Sequence, residues 1–213
     1  MPSPAPSRWR WEEAFWERGF LRVAGLDEAG RGPLAGPVLA AAVILPRDFR
    51  EEIPLRDSKK MTPKARQEAF SYLAAYPGVE VGVGQADVAT IDRINILQAT
   101  RAAMRSALAS LPQPSTALLI DGLKLPETGL PQRRLYRGED QSISIAAASI
   151  IAKVTRDRIM VAQDEAYPEY GFARHKGYGT REHLAALARL GPCPLHRRSF
   201  GPVRDRVLAE PSS

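Results

Sequence analysis

Leu26-Asp27-Glu28-Ala29-Gly30-Arg31-Gly32-Pro33-Leu34-Ala35-Gly36-Pro37 decides how this chain folds, because it joins two apolar runs and puts two acids at the join. Leu21 to Leu26 reads as a short strand. Val38 to Leu45, apolar throughout between Pro37 and Pro46, reads as a second strand buried on both faces. The two are close enough in sequence to pair antiparallel, with Asp27 and Glu28 expected where the first one runs out. Three glycines and two prolines within eight residues then constrain the backbone, with Gly30 and Gly32 free to take positive φ and admit a close neighbour. Taken alone, an Asp-Glu pair before glycine also fits a solvated turn. The rest of the chain has to separate the two readings.

A second apolar run, Ala117 to Ile120, repeats the pattern by ending in Asp121-Gly122. Functional side chains gather at strand ends in open α/β sheets, so Asp27 and Asp121 meet if their strands are neighbours. A short basic strand from Arg133 to Arg137 leads through Gly138-Glu139-Asp140 to the longest helical segment, Ser142 to Tyr167. Ile143, Ala147, Ile150, Ile151, Val154 and Val161 share its core face, and Ala146-Ala147-Ala148 allows close packing on the sheet. Elsewhere Ser7 is expected to cap a short helix with Trp9, Trp16 and Phe20 on one side. Asp57-Ser58-Lys59 lies in a polar loop before a helix from Pro63 to Tyr76 capped by Thr62. Val79 to Gln85 reads as a strand, and Thr90 to Leu108 as a helix with Ile94, Leu97, Ala103 or Met104, and Leu108 on its apolar side. Tyr170 to Thr180 mixes aromatics, bases and glycines before a short helix ending at Leu190. That mixture suits a nucleic-acid surface, and it equally suits a basic loop with half-buried tyrosines.

At 213 residues and 44% hydrophobic, the chain can bury a core as one domain without metal or disulfide staples. The expected boundaries are an extension with a short helix over residues 1–19, a main domain over 20–208 and a disordered tail over 209–213. A formal charge of +6 favours a polyanionic partner, with nucleic acid first. The single cysteine, Cys193 between two prolines, excludes an intrachain disulfide and a cysteine-rich zinc site. His175, His183 and His196 lack a paired metal spacing and read as structural or phosphate contacts. No signal peptide or membrane span is apparent, so a cytoplasmic protein is expected.

Asp27, Glu28, Asp121 and Glu139 form a possible all-oxygen cluster from three separate elements, a donor set that selects Mn2+ or Mg2+. Carboxylates brought this close repel strongly unless a divalent cation offsets their charge. Two ions about 4 Å apart can activate a water and stabilise the leaving oxygen of a phosphodiester. Lys59 either touches a phosphate or pairs with Asp57, and Arg156 and Asp157 read as a surface pair.

Asp27-Glu28-Ala29-Gly30-Arg31-Gly32, Asp57-Ser58-Lys59, Asp121-Gly122, Ala146 to Asp157 and His175-Lys176-Gly177-Tyr178-Gly179-Thr180 come in an order that resembles the type 2 ribonuclease H family. His196-Arg197-Arg198-Ser199-Phe200 resembles its closing segment, so the likeness spans about residues 20 to 205. It implies an α/β, RNase H-like fold: a mixed central β-sheet flanked by helices, with a small C-terminal helical segment. It also implies an endonuclease that cuts RNA in RNA/DNA hybrids; a monomer is the default expectation. The same family likeness implies incision of ribonucleotide-containing duplex DNA on the 5′ side of the ribonucleotide, leaving 3′-hydroxyl and 5′-phosphate ends. By position Asp27, Glu28 and Asp121 match the metal ligands, and Gly30-Arg31-Gly32 matches the loop that reads a ribose 2′-hydroxyl. Tyr178 matches the aromatic that stacks on the following deoxyribose, with Ser149 and Lys153, one helical turn apart, facing the nucleic acid. The family's fourth acid is usually an Asp directly after Gly. Here Glu139 stands there, followed by Asp140: either Glu139 takes the role with an altered metal position or Asp140 does after a backbone shift, and Glu139 is the expected ligand. The C-terminal tail lacks a sliding-clamp peptide pattern.

Overall fold

The computed structural model describes residues 7–55 and 57–209. Five strands, β1 (Val23–Ala29), β2 (Val38–Ile44), β3 (Glu80–Ala86), β4 (Ala117–Asp121) and β5 (Gln132–Leu135), form one mixed sheet in the order β3-β2-β1-β4-β5. Pairing is antiparallel from β1 to β2 and β2 to β3, and parallel from β1 to β4 and β4 to β5. Parallel β1, β4 and β5 bring their C-terminal ends to one end of the sheet, the place where side chains of an α/β fold converge. Asp27 and Asp121 therefore belong to adjacent strands.

Side-chain alternation divides the core in two. Ala24, Leu26, Ala40, Ala42, Leu118 and Ile120 pack on one face against α3 (Val88–Ala109). Leu39, Ala41 and Val43 pack on the other against α4 (Ile143–Ala166) and α2 (Pro63–Ala75). The alanine run of α4 is fully buried. The helix lies so close to β1 that a Cβ on Gly25 would sit 2.2 Å from the Ser144 carbonyl carbon. Ser142 caps α4 by accepting the Ile145 N–H at 3.2 Å, and Thr62 caps α2 from Ala65 in the same way. The N-terminal helix α1 (Arg10–Trp16) is tied to α4 through buried Glu12, which accepts from the Ser142 and Ser144 hydroxyls at 2.6 Å each. Three short helices, α5 (Phe172–His175), α6 (Arg181–Leu190) and α7 (Gly201–Ala209), form the C-terminal helical segment. Leu187 and Val203 cover Leu34 of the glycine loop.

Several expectations need correction. β1 does not stop at Leu26: β2 continues to pair with it through Asp27, Glu28 and Ala29, opposite Ala41, Ala40 and Leu39, so both acids are strand residues. In the loop, positive φ falls at Gly30 and Gly36 and not at Gly32. Val161 is exposed while Met160 is buried. Past Val154 the cover comes from Ala35, Tyr170 and Phe172 instead of the sheet, and the buried stripe of α4 rotates accordingly. Leu97 is also exposed, because α3 breaks at Asn95 (φ 64°), whose side chain accepts the Leu97 and Gln98 N–H groups and restarts the helix. Ser7 accepts the Trp9 N–H, but the helix begins at Arg10, and the buried anchor of that segment is Phe15. Ala209 closes α7, and residues 210–213 of the expected tail lie outside the described residues.

Candidate active site

The acids occupy the C-terminal ends of β1 and β4 and the 3₁₀ turn Gly138–Asp140. Asp27 is 7% exposed and Glu139 9%. One Asp27 oxygen accepts the Glu28 N–H at 2.7 Å, and one Asp121 oxygen accepts the Gly138 N–H at 2.7 Å, which joins the turn carrying Glu139 to β4. Burial first, then the charges of Glu28 and Asp121, pushes the Asp27 carboxyl well above the usual carboxylate range. Burial also raises Glu28, against the pull of Arg31 at 3.3 Å. Glu139 is raised by burial and by the charges of Asp121 and Asp57. Asp140, by contrast, is exposed and pairs with Arg137 at 2.7 Å and Lys60 at 3.5 Å, so Glu139 is the one directed toward the other acids.

The donors suit a hard divalent cation. All are oxygens, and Glu28 Oε2 and Glu139 Oε2 are buried without any hydrogen-bond partner. Among the described residues, no three acidic, histidine or cysteine side chains close into a ready ligand cage.

Every residue expected to bind substrate lines one cavity of about 130 Å3 beside Glu28: Gly30, Arg31, Gly32, Lys59, Ser149, Lys153 and Tyr178. Ser149 and Ser58 share a hydrogen bond at 2.8 Å, which docks the Asp57-Ser58-Lys59 loop on α4. Asp57 pairs with Lys60 at 3.4 Å, leaving Lys59 directed at the acids. Burial works against the Lys59 charge, yet Asp27, Asp57 and Glu139 hold its pKa above the ordinary value. Lys153 pairs with Asp157 at 2.7 Å and sits 5.7 Å from the Tyr178 ring centre. Of the Tyr170 to Thr180 segment only part faces outward. Tyr170, Phe172 and His175 are buried as packing for the C-terminal helices, and Tyr178 is 40% exposed.

Two arginines matter more here than their sequence context suggests. Arg156 does not pair with Asp157; it is buried and donates to the carbonyls of Pro37, Ala35 and Lys176 at 3.0 Å each. Arg197, also buried, donates to Gly30, Arg31, Pro33 and Gly36 at 2.6–3.0 Å. Together they draw the carbonyls of the glycine loop inward. Gly30 is required, since a Cβ there would lie 2.0 Å from Arg156 Nε. Burial and the neighbouring Arg156 charge pull the Arg197 guanidinium down to about 9. No periodicity marks either residue, because their partners are backbone carbonyls distant in sequence.

The three histidines are buried and structural. His196 accepts the Cys193 N–H, meets His183 Nε2 at 3.0 Å, and His183 Nδ1 reaches the Tyr178 carbonyl at 2.9 Å. With His196 Nδ1 accepting, His196 Nε2 donates to His183, whose Nδ1–H donates to Tyr178. The chain of neutral imidazoles thus fixes the backbone of the exposed tyrosine.

Residues 24–203 match the family model described as Ribonuclease HII. The chain belongs to the ribonuclease HII family. It is 53% identical over 205 residues to ribonuclease HII of Geobacter sulfurreducens, covering 96% of this chain and 93% of that protein. It is 53% identical to the Geobacillus kaustophilus ribonuclease HII, over 94% of this chain and 76% of that one. Among solved structures, ribonuclease H2 from Pyrococcus horikoshii superposes with a TM-score of 0.72 at 28% identity, covering 86% of this chain and 96% of that one. Bst-RNase HIII, solved in complex with Mn2+, shares the fold at a TM-score of 0.68 and 20% identity, over 89% and 70% of the two chains. Family membership makes the chain an endoribonuclease, a hydrolase acting on RNA in RNA/DNA hybrids and dependent on a divalent metal. No described helix is long and apolar enough to cross a membrane.

Proposed function

We propose that the chain incises duplex DNA on the 5′ side of a single embedded ribonucleotide, in addition to cutting the RNA strand of hybrids, with Asp27, Glu28, Asp121 and Glu139 holding Mn2+ or Mg2+. The observation that carries this reading is the single cavity in which Gly30-Arg31-Gly32 and Tyr178 stand beside Glu28. A divalent pair held by these four carboxylates would supply a water of lowered pKa and charge stabilisation at the leaving oxygen.

The chain's own residues do the rest. With the loop carbonyls drawn to Arg156 and Arg197, the backbone of Gly30 to Gly32 is held rigid for a ribose hydroxyl, which can both donate and accept a hydrogen bond. The Tyr178 ring offers a face to the next sugar, where an added hydroxyl fits poorly. Lys59 and Lys153 line the same cavity and neutralise phosphates beside the cut. Glu139 takes the fourth carboxylate position and Asp140 remains a surface ion-pair partner.

The test is a cleavage map on end-labelled duplex DNA carrying one ribonucleotide, run beside a long RNA/DNA hybrid with Mn2+, Mg2+ or chelator. Metal-dependent incision 5′ of the ribonucleotide, leaving 3′-hydroxyl and 5′-phosphate ends, is expected. Cutting of the long hybrid alone would overturn the role given to Gly30-Arg31-Gly32 and Tyr178.

A further inference from the structure

We propose that Arg134, Tyr136 and Arg137 form a second nucleic-acid contact, which grips the substrate duplex on the side of the acids away from Tyr178. The proposal rests on the active site described above and adds a surface to it. β5 is the sheet's edge strand and runs parallel to β4, with Leu135 opposite Asp121. The residues that follow Leu135 thus emerge at the end of the sheet that carries the acids. Tyr136 and Arg137 fill the two positions between Leu135 and Gly138, whose N–H is bound to Asp121. In sheet order this places them beyond β4, whereas the glycine loop and Tyr178 lie at the β1 side.

Tyr136 is 67% exposed, although its neighbour Leu135 is buried in the core. An isolated exposed aromatic this close to a catalytic cluster is poorly explained by packing. Its backbone is held: Gln141 Nε2 donates to the Tyr136 carbonyl at 2.7 Å, and Arg137 takes a left-handed φ of 53°, uncommon for a side chain of its type. Arg134, on the edge strand two residues before Tyr136, places its guanidinium 4.6 Å from the Tyr136 ring centre. Among the described residues Arg134 pairs with no carboxylate, and Arg137, paired with Asp140, keeps a side chain 74% exposed.

An aromatic face with a cation over it and a second cation beside it matches a base or sugar flanked by phosphates. The chain's charge of +6 adds to the electrostatic match.

The experiment is steady-state cleavage by Tyr136→Ala, Tyr136→Phe and Arg134→Gln, with the duplex arm shortened on one side of the cut or the other. Tyr136→Ala is expected to raise KM about five- to tenfold, the scale of one lost stacking contact, with kcat within about twofold. Tyr136→Phe restores KM, because the ring and not the hydroxyl makes the contact. The defect disappears when one particular arm is shortened and persists when the other is. Arg134→Gln lowers the slope of log KM against log salt by about one. Unchanged KM, failure of Tyr136→Phe to rescue, or an equal loss at every arm length would overturn the proposal. Both substrate types are used. If wild type cuts hybrids and leaves single ribonucleotides intact, the junction reading fails, while the arm-length comparison on hybrids still decides this one.

Discussion

Charged groups are withdrawn from water on both sides of the glycine loop, and the two sides are finished differently. On one side lie buried Asp27 and Glu139, with Glu28 lining the cavity and paired with Arg31; beneath the loop lie buried Arg156 and Arg197. Each guanidinium nitrogen of both arginines donates to a backbone carbonyl, so their burial is compensated by hydrogen bonds without any carboxylate. The carboxylates leave Glu28 Oε2 and Glu139 Oε2 with no partner at all. The cations are a completed scaffold, and the anions are a site whose stabilisation must come from a ligand.

Four experiments can break or sharpen that contrast. Asp27→Asn or Asp121→Asn should cut kcat about a thousandfold, the scale of removing one preorganised electrostatic group. Because the Asp27 carboxyl is raised, its charge opposes folding at neutral pH. Asp27→Asn should therefore also raise the metal-free Tm, by about 2–4 °C per kcal/mol relieved. A falling Tm would show that the acids are structural after all. Next, Glu139→Gln should lose about a hundredfold in kcat. Asp140→Asn, which breaks only exposed pairs, should stay within about twofold. The reverse ranking would exchange their roles.

On the scaffold side, Arg197→Met leaves four carbonyls without their donor, each worth about 1–3 kcal/mol when buried. Chemical denaturation should register the loss of at least one such bond, and an unchanged midpoint would deny the scaffold reading. The smallest effect belongs to the histidine chain. His196 is lowered from 6.5 to about 4 by burial and by His183, so between these values the unfolded chain binds the proton that the folded one refuses. Stability is then lost as pH falls from 6.5 toward 4, and Tm measured across that window should flatten in His196→Gln.

Much of the site was legible because its chemistry is local. Asp27-Glu28 before Gly30, Asp121 at the end of an apolar run and Glu139 after Gly138 each announce themselves within a few residues. The helix caps Thr62 and Ser142 were equally readable, since a cap acts three residues away. What escaped depended on distant partners. The length of β1 was set by β2, and the phase of α4 beyond Val154 by the packing of Tyr170 and Phe172. Arg156 had a carboxylate next to it in sequence and chose carbonyls more than a hundred residues away.

The sequence by itself determined the two-faced core, the candidate acid set and the family likeness, because apolar periodicity and short motifs are written into neighbouring residues. Only the tertiary structure decided which glycines bend backward, that Lys59 faces the acids while Lys60 pairs with Asp57, and that buried guanidiniums hold the loop. Those outcomes turn on which groups burial deprives of water, and burial is a property of the folded chain as a whole.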